Sequence, residues 1–237
     1  MVALQLKMVP VSFVGDGALL LRAIKFCMKN KIQINKIFVP HESIDVYKCY
    51  IDDLKIISFK KNLSEMLVNN LNEDDFLFSI NNKFIIEDAP LIKIKNVYNI
   101  HNGLVQQYRG LGELCVFSAY LRKEKKYGAT FHKINPKQEP DSGEIYAQKS
   151  FYLRQGYSFQ EIMTQSIRCC QDLFEENIIN IINKNQPSIK ISNNQLGKIY
   201  TYKNIGNLIK KSKNMSMNLG VYEKDFYKIK ETIDGLI

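Results

Sequence analysis

The chain has no tryptophan, three histidines and five arginines among 237 residues, and its five cysteines form no Cys-x-x-Cys pair. Each shortage excludes something. An odd set of cysteines, none at metal-ligand spacing from a histidine, argues against a disulfide framework and gives no metal site. The thiols therefore read as reduced and buried, with Cys169-Cys170 serving packing inside a helical pattern. No run approaches the roughly 18 apolar residues that a membrane span needs. The opening MVALQLKMVPVSFVG is too short and too strand-like for a secretory signal, so a cytoplasmic protein is expected. Scarce arginine speaks against a dedicated nucleic-acid surface, where arginine alternates with aromatics.

What is present is a hydrophobic content of 45% with 24% charged residues, enough for one large soluble domain with a modest extension. Lysine dominates the net charge of +9, and from Lys184 to Ile237 ten lysines face four acids, which concentrates about two thirds of the excess in the last quarter. Such a skew suits a phosphorylated small molecule, nucleic acid, an anionic membrane or simply a solvated surface, and does not choose among them.

Short apolar runs alternate with amphipathic stretches through the first half. Val9–Val14, Ile34–Val39, Lys55–Phe59, Asp75–Ile80 and Val97–His101 read as strands. Helices are expected over Ala18–Asn30, from a cap at Ser64 through Asn70, and from Gly110 to Leu121. Nearly continuous apolar strands separated by helices imply an α/β fold with a Rossmann-like, mostly parallel sheet covered on both faces. Two more strands follow at Gly128–Ile134 and Glu144–Phe151. A long helix then opens on the capping box Ser158-Phe159-Gln160-Glu161 and runs to about Lys184. We divide the chain into a catalytic domain, residues 1–184, and a small extension, residues 185–237. In that extension, strands at Ile189–Ile191 and Lys198–Tyr202 form a hairpin and a last helix lies within Lys224–Ile237.

The first strand-to-helix turn, Gly15-Asp16-Gly17-Ala18-Leu19-Leu20, has two glycines of a dinucleotide fingerprint but lacks the third, so no Rossmann cofactor is expected there. His41 reads as a surface residue, and His132, taken alone, as a hydrogen-bonded structural histidine. His101 differs by its company. It stands two residues after Asn99 at a strand's carboxyl end, where both side chains leave one face and where open α/β sheets place ligands. Asp141 follows Pro140 in a turn-forming stretch forty residues later. An amide that donates to a developing oxyanion, an imidazole that passes protons and a carboxylate that orients it suit acyl transfer without a covalent intermediate.

Four blocks in order carry a resemblance. They are Asn99-x-His101 with Gly103-Leu104-Val105-Gln106-Gln107-Tyr108-Arg109-Gly110, then Gly128-Ala129-Thr130-Phe131-His132, then Asp141-Ser142-Gly143-Glu144-Ile145, then Gln148. This set resembles the 10-formyltetrahydrofolate-dependent formyltransferases, whose pattern is roughly N-x-H-x-S-L-L-P-x-Y-R-G, G-x-T-x-H and D-x-G-x-I-x-x-Q. The resemblance implies transfer of a formyl group from 10-formyltetrahydrofolate to an amine, without a metal, and Asn99, His101 and Asp141 as the catalytic trio. It implies folate against Lys83, Phe84, Ile85, Ile86 and Asp141, with Gly103, Gln106, Tyr108 and Arg109 beside the acceptor. Asn99 and His101 would stabilise the tetrahedral oxyanion while Asp141 and a water relay the amine's proton. Two residues depart from the pattern: Gly103 replaces a serine and Gln106 a proline, which loosens the loop beside the acceptor.

The serine-rich phosphate loop of glycinamide ribonucleotide transformylases is missing, and the extension is short for the barrel domain of methionyl-tRNA formyltransferases. Size and tail look most like the sugar N-formyltransferases. They act on nucleotide-linked amino sugars such as dTDP-4-amino-4,6-dideoxyglucose, used for O-antigen and lipopolysaccharide biosynthesis, and many are homodimers. A methionyl-tRNA or other amine acceptor, a formyl-folate hydrolase and an inactive RNA-binding module stay open at this point.

Overall fold

The computed structural model describes residues 9–51, 53–201, 203, 205–212 and 217–224. The strands are β1 (Val11–Gly15), β2 (Ile34–Pro40), β3 (Ile56–Phe59), β4 (Phe76–Ile80), β5 (Asn96–His101), β6 (Tyr108–Gly110), β7 (Lys126–Lys133), β8 (Ile145–Tyr152) and β9 (Lys198–Tyr200). The α-helices are α1 (Gly17–Lys29), α2 (Ile44–Tyr50), α3 (Leu63–Asn70), α4 (Asp88–Lys93), α5 (Gly112–Leu121), α6 (Phe159–Ile182) and α7 (Ile205–Ser212). Seven strands form the main sheet in the order β3-β2-β1-β4-β5-β7-β8. The first five in that order are parallel, whereas β7 runs antiparallel to both of its neighbours, β5 and β8. The chain order reverses direction between β1 and β4, which opens a crevice at the carboxyl ends of these strands.

Every residue of β1 and of β4 is buried, as expected of strands covered on both faces. Phe13 and Phe78 from these strands meet Phe174 of α6 at ring separations of 6.0–6.1 Å on one face. Val14, Leu77 and Val97 pack against Leu63, Leu67 and Leu91 of α3 and α4 on the other. Helix α5 buries six consecutive residues, Leu114 to Ala119, as a helix apolar on all sides must. It sits in a separate apolar cluster with Tyr108, Tyr200, Leu208 and Leu219.

The α6 cap forms as read from the sequence. Ser158 Oγ accepts from the Glu161 amide at 3.2 Å, while Glu161 Oε2 accepts from the Ser158 amide at 2.8 Å. Ser158→Ala is expected to cost about 1 kcal/mol of unfolding free energy, measured by urea denaturation. Ser64 does not cap α3. Asn62 holds that position, its side chain turns back to the Lys60 amide at 3.3 Å, and Ser64 lies inside the first turn.

The two short strands after Asn185 do not pair with each other. Ile189 bridges to Ile145, and β9 runs parallel to β6, so the expected hairpin is replaced by two attachments to the preceding part of the chain. The physical reason is a ready partner: β6 lies outside the main sheet and offers its backbone to β9. Helix α7 was not expected, and the helix placed within Lys224–Ile237 lies, beyond Lys224, outside the described residues. Among the described residues no helix is long and apolar enough to cross a membrane.

Candidate active site

Alternation along β5 sends Tyr98 and Ile100 into the aromatic core and Asn99 with His101 to the opposite side. The neighbouring β7 sets His132 directly across from Asn99 in the antiparallel register. The turn after Pro140 then brings Asp141 between the two imidazoles. Asp141 Oδ2 lies 3.4 Å from His101 Nδ1, and Oδ1 lies 3.3 Å from His132 Nε2. Asn99 Nδ2 completes the group, 3.4 Å from Asp141 Oδ1 and 3.1 Å from His132 Nε2. Asp141 Oδ2 also accepts from the Gly110 amide at 2.7 Å. The backbone of Asp141 has φ +54°, in the left-handed region that residues with a Cβ seldom occupy.

Burial opposes ionisation of Asp141, but the facing His101 and His132 and the Gly110 amide outweigh it and hold the carboxyl well below the usual carboxylate range. Burial lowers the His101 pKa below its ordinary value, and Asp141 resists that drop. His101 is only 4% exposed, and its Nε2 lies 2.9 Å from the Tyr108 carbonyl. Both ring nitrogens therefore face acceptors.

These groups form the floor of a cavity of about 820 Å³ at the carboxyl ends of the parallel strands. Lys83, Phe84, Ile85 and Ile86 line one wall, on the loop after β4. That loop is shaped by Asn82, which accepts from the Phe84 amide at 3.0 Å and donates to its carbonyl at 2.8 Å. The side chain of Ile85 is 79% exposed, and the amides of Ile85 and Ile86 donate to no partner among the described residues. An exposed apolar rim with free main-chain donors fits a flat heteroaromatic ring such as a pterin. Among the described residues no cluster of His, Cys, Asp and Glu could hold a metal ion.

The acceptor-side residues expected from the sequence do not line this cavity. Tyr108 is fully buried and its hydroxyl donates to Glu124 at 2.8 Å. Arg109 is 4% exposed and its guanidinium is committed to the protein, to Glu139 at 2.7 Å and the Pro140 carbonyl at 3.0 Å. Burial leaves both polar groups to find partners inside the protein. Gln106 exchanges side-chain hydrogen bonds with Gln148 at 3.0 and 2.8 Å. Gly103 packs under the His101 imidazole, where an added Cβ would lie 2.7 Å from Nε2. A serine there requires a different ring position, so the glycine and this placement of His101 go together.

His132, expected as a hydrogen-bonded structural histidine, is 2% exposed and lies 3.0 Å from the Lys133 carbonyl through Nδ1. Its signal was the G-x-T-x-H block, in which Thr130 also proves structural: its hydroxyl donates to the Gly103 carbonyl at 2.8 Å and anchors the loop after β5. The start of α1, where a helix N-terminus could receive an anion, is filled from within, because Asp16 accepts from the Gly17 amide at 2.7 Å and from Ser43 at 2.9 Å.

No family model and no curated protein matches this chain. Solved structures do. An N-formyltransferase from Helicobacter canadensis, in complex with folinic acid and dTDP-3-aminofucose, superposes with TM-score 0.69 at 19% identity, covering 83% of this chain and 72% of that one. A 4-N formyltransferase from Francisella tularensis gives TM-score 0.70 at 20% identity, covering 84% and 79%. Glycinamide ribonucleotide transformylase 1 from Symbiobacterium toebii gives TM-score 0.64 at 15% identity, covering 75% and 89%. At these identities the likeness is one of architecture, and the architecture is the formyltransferase fold.

Proposed function

We propose that this protein is a folate-dependent N-formyltransferase that moves a formyl group from 10-formyltetrahydrofolate to the amine of a nucleotide-linked amino sugar. The observation that carries the reading is the packing of Asn99 and His101 around Asp141, each 3.4 Å from its carboxylate, at the floor of a folate-sized cavity. The sugar acceptor draws support from two sides. The Asp16 carboxylate at the start of α1 would repel a phosphate bound there. One neighbour of the same fold was crystallised with dTDP-3-aminofucose. We take dTDP-4-amino-4,6-dideoxyglucose as the leading acceptor, destined for surface polysaccharide, and a homodimeric, cytoplasmic enzyme as its setting.

In this reading the Lys83–Ile86 loop holds the pterin, and the co-substrate supplies a formyl carbon activated by its bond to nitrogen. The unprotonated amine attacks that carbon, a C–N bond forms, and the carbonyl electron pair moves to oxygen. The Asn99 amide donates to the oxyanion, and His101 stabilises it by its charge once it holds a proton. The amine's proton passes to the Asp141–His101 pair and onward to the folate nitrogen as the old C–N bond breaks, leaving a formamide and tetrahydrofolate. Asp141, kept ionised by its partners, is ready to accept from the start.

A panel of dTDP- and UDP-linked 3-amino and 4-amino sugars, glycinamide ribonucleotide and methionyl-tRNA, each with 10-formyltetrahydrofolate, tests the acceptor by the rate of tetrahydrofolate release. Turnover with a nucleotide-linked amino sugar at least about tenfold above the other amines is expected. Preference for methionyl-tRNA or glycinamide ribonucleotide would replace the sugar, and formate release without any amine would turn the enzyme into a hydrolase.

A further inference from the structure

The buried cation behind the catalytic carboxylate has contacts that a ligand-binding arginine does not need. Arg109 donates to the Pro140 carbonyl from Nε at 3.0 Å and from Nη2 at 2.9 Å, and Nη2 also meets Glu139 Oε2 at 2.7 Å. These contacts fall on the two residues immediately before Asp141. The next residue, Gly110, binds the Asp141 carboxylate itself through its amide. Residues 109 and 110 thus grip the same turn at two points, its main chain and its functional group. The turn requires a grip, because Asp141 sits in the left-handed region without being glycine.

The grip is braced from the C-terminal segment. Arg109 Nη1 reaches the Gly197 carbonyl at 3.4 Å, the Gly197 amide donates to Val105 at 2.8 Å, and the Leu111 amide donates to Tyr200 at 2.8 Å. A Cβ at Gly197 would lie 2.3 Å from the Gln107 carbonyl carbon, so only glycine permits this approach. Parallel pairing of Lys198–Tyr200 with Tyr108–Gly110 fixes the strand that carries the guanidinium.

We propose that Arg109 is a positioning residue which, braced by residues 197–200, fixes the turn of Asp141 so that its carboxylate stays between His101 and His132. The extension then serves the active site directly. A guanidinium suits the task because its planar fork spans several acceptors at once, which a lysine ammonium does not.

The test uses the histidine ring resonances of the isotopically labelled full chain, which has three histidines. In Arg109→Met, which leaves the 70% exposed Glu139 in water instead of buried and unpaired, the His101 and His132 signals move while that of His41 stays. Arg109→Lys restores them only in part, and Gly197→Ala displaces them in the same sense. With the acceptor found above, kcat falls by about tenfold to a hundredfold in Arg109→Met, as expected for a catalytic group misplaced by an ångström. KM for both substrates and the affinity for folinic acid stay within about threefold. Should Arg109→Met not fold, Arg109→Lys and Gly197→Ala carry the same comparison. Unmoved His101 and His132 signals in folded variants overturn the proposal, and so do moved signals with kcat within twofold of the parent. The kinetic arm rests on the proposed formyl transfer. If the parent transfers formyl to no amine, that reading fails, and the ring resonances alone decide whether Arg109 places Asp141.

Discussion

Asp141→Asn is expected to lower kcat by about a thousandfold, within the range lost when a positioned acid–base group is removed. The substitution keeps the shape of the side chain but removes the charge that His101, His132 and the Gly110 amide converge upon. It also gives the site an N–H where an acceptor of the amine's proton is needed. Stability should respond with a definite sign. The folded pKa of Asp141 lies below its ordinary value of 3.8, so its contribution is complete above that value and is lost as pH falls below it. Urea midpoints of parent and variant are therefore expected to differ most near neutral pH and to converge as pH falls below that value. An unchanged gap down to pH values where the parent unfolds would mean that Asp141 is not held ionised by its partners.

His101→Ala comes next in size, with kcat for formyl transfer lowered by about a hundredfold or more, the loss typical of one oxyanion donor at about 3 kcal/mol. The Tyr108 carbonyl loses its partner in this variant, which costs stability of about 1–3 kcal/mol. A domain with about 5–15 kcal/mol in hand remains folded after such a loss, so unfolding does not account for the missing turnover. The pH dependence again has a sign. The folded pKa of His101 lies below its ordinary value of 6.5, so the parent loses stability as pH falls below that value, and His101→Ala removes this sensitivity. Thermal unfolding at pH 7.5 and 5.5, alongside folate release, checks both halves. Turnover within a few fold of the parent removes His101 from the chemistry.

Much of this site was legible before any coordinates. Asn99 and His101 declared themselves by spacing on an apolar strand, and Asp141 by its turn context, because strand alternation and turn chemistry are local. The contact of His132 with Asn99 was not legible because it is a matter of register: only the antiparallel pairing of β7 with β5 sets the two opposite each other. The internal partners of Arg109 were hidden for a related reason. A sequence shows a cation near the site, whereas the carbonyls that consume it lie thirty and more residues away.

The fold was readable in its parallel strands and less so at its edges. Helices α1, α5 and α6 end without glycine. Lys31, Lys123 and Lys184 take the left-handed position at φ +58°, +53° and +56°, and the following amides close back on Cys27, Ala119 and Asn180 at 2.8–3.1 Å. A glycine-based stop signal misses such ends, since tertiary packing compensates for the strain. Helices α2 and α4, of seven and six residues, were missed because each is too short to show a 3.6-residue period. The pairing of β9 with β6 joins segments about ninety residues apart, beyond any local pattern.

The most direct measurement follows a 13C-labelled formyl group from 10-formyltetrahydrofolate by NMR, with and without dTDP-4-amino-4,6-dideoxyglucose, for the parent and for Asn99→Ala. Carbon-13 formamide on the sugar, formed only when the amine is present and about a hundredfold more slowly without the Asn99 amide, is the predicted result. Label appearing as formate at the same rate with or without amine, or a formamide signal indifferent to Asn99, would contradict it.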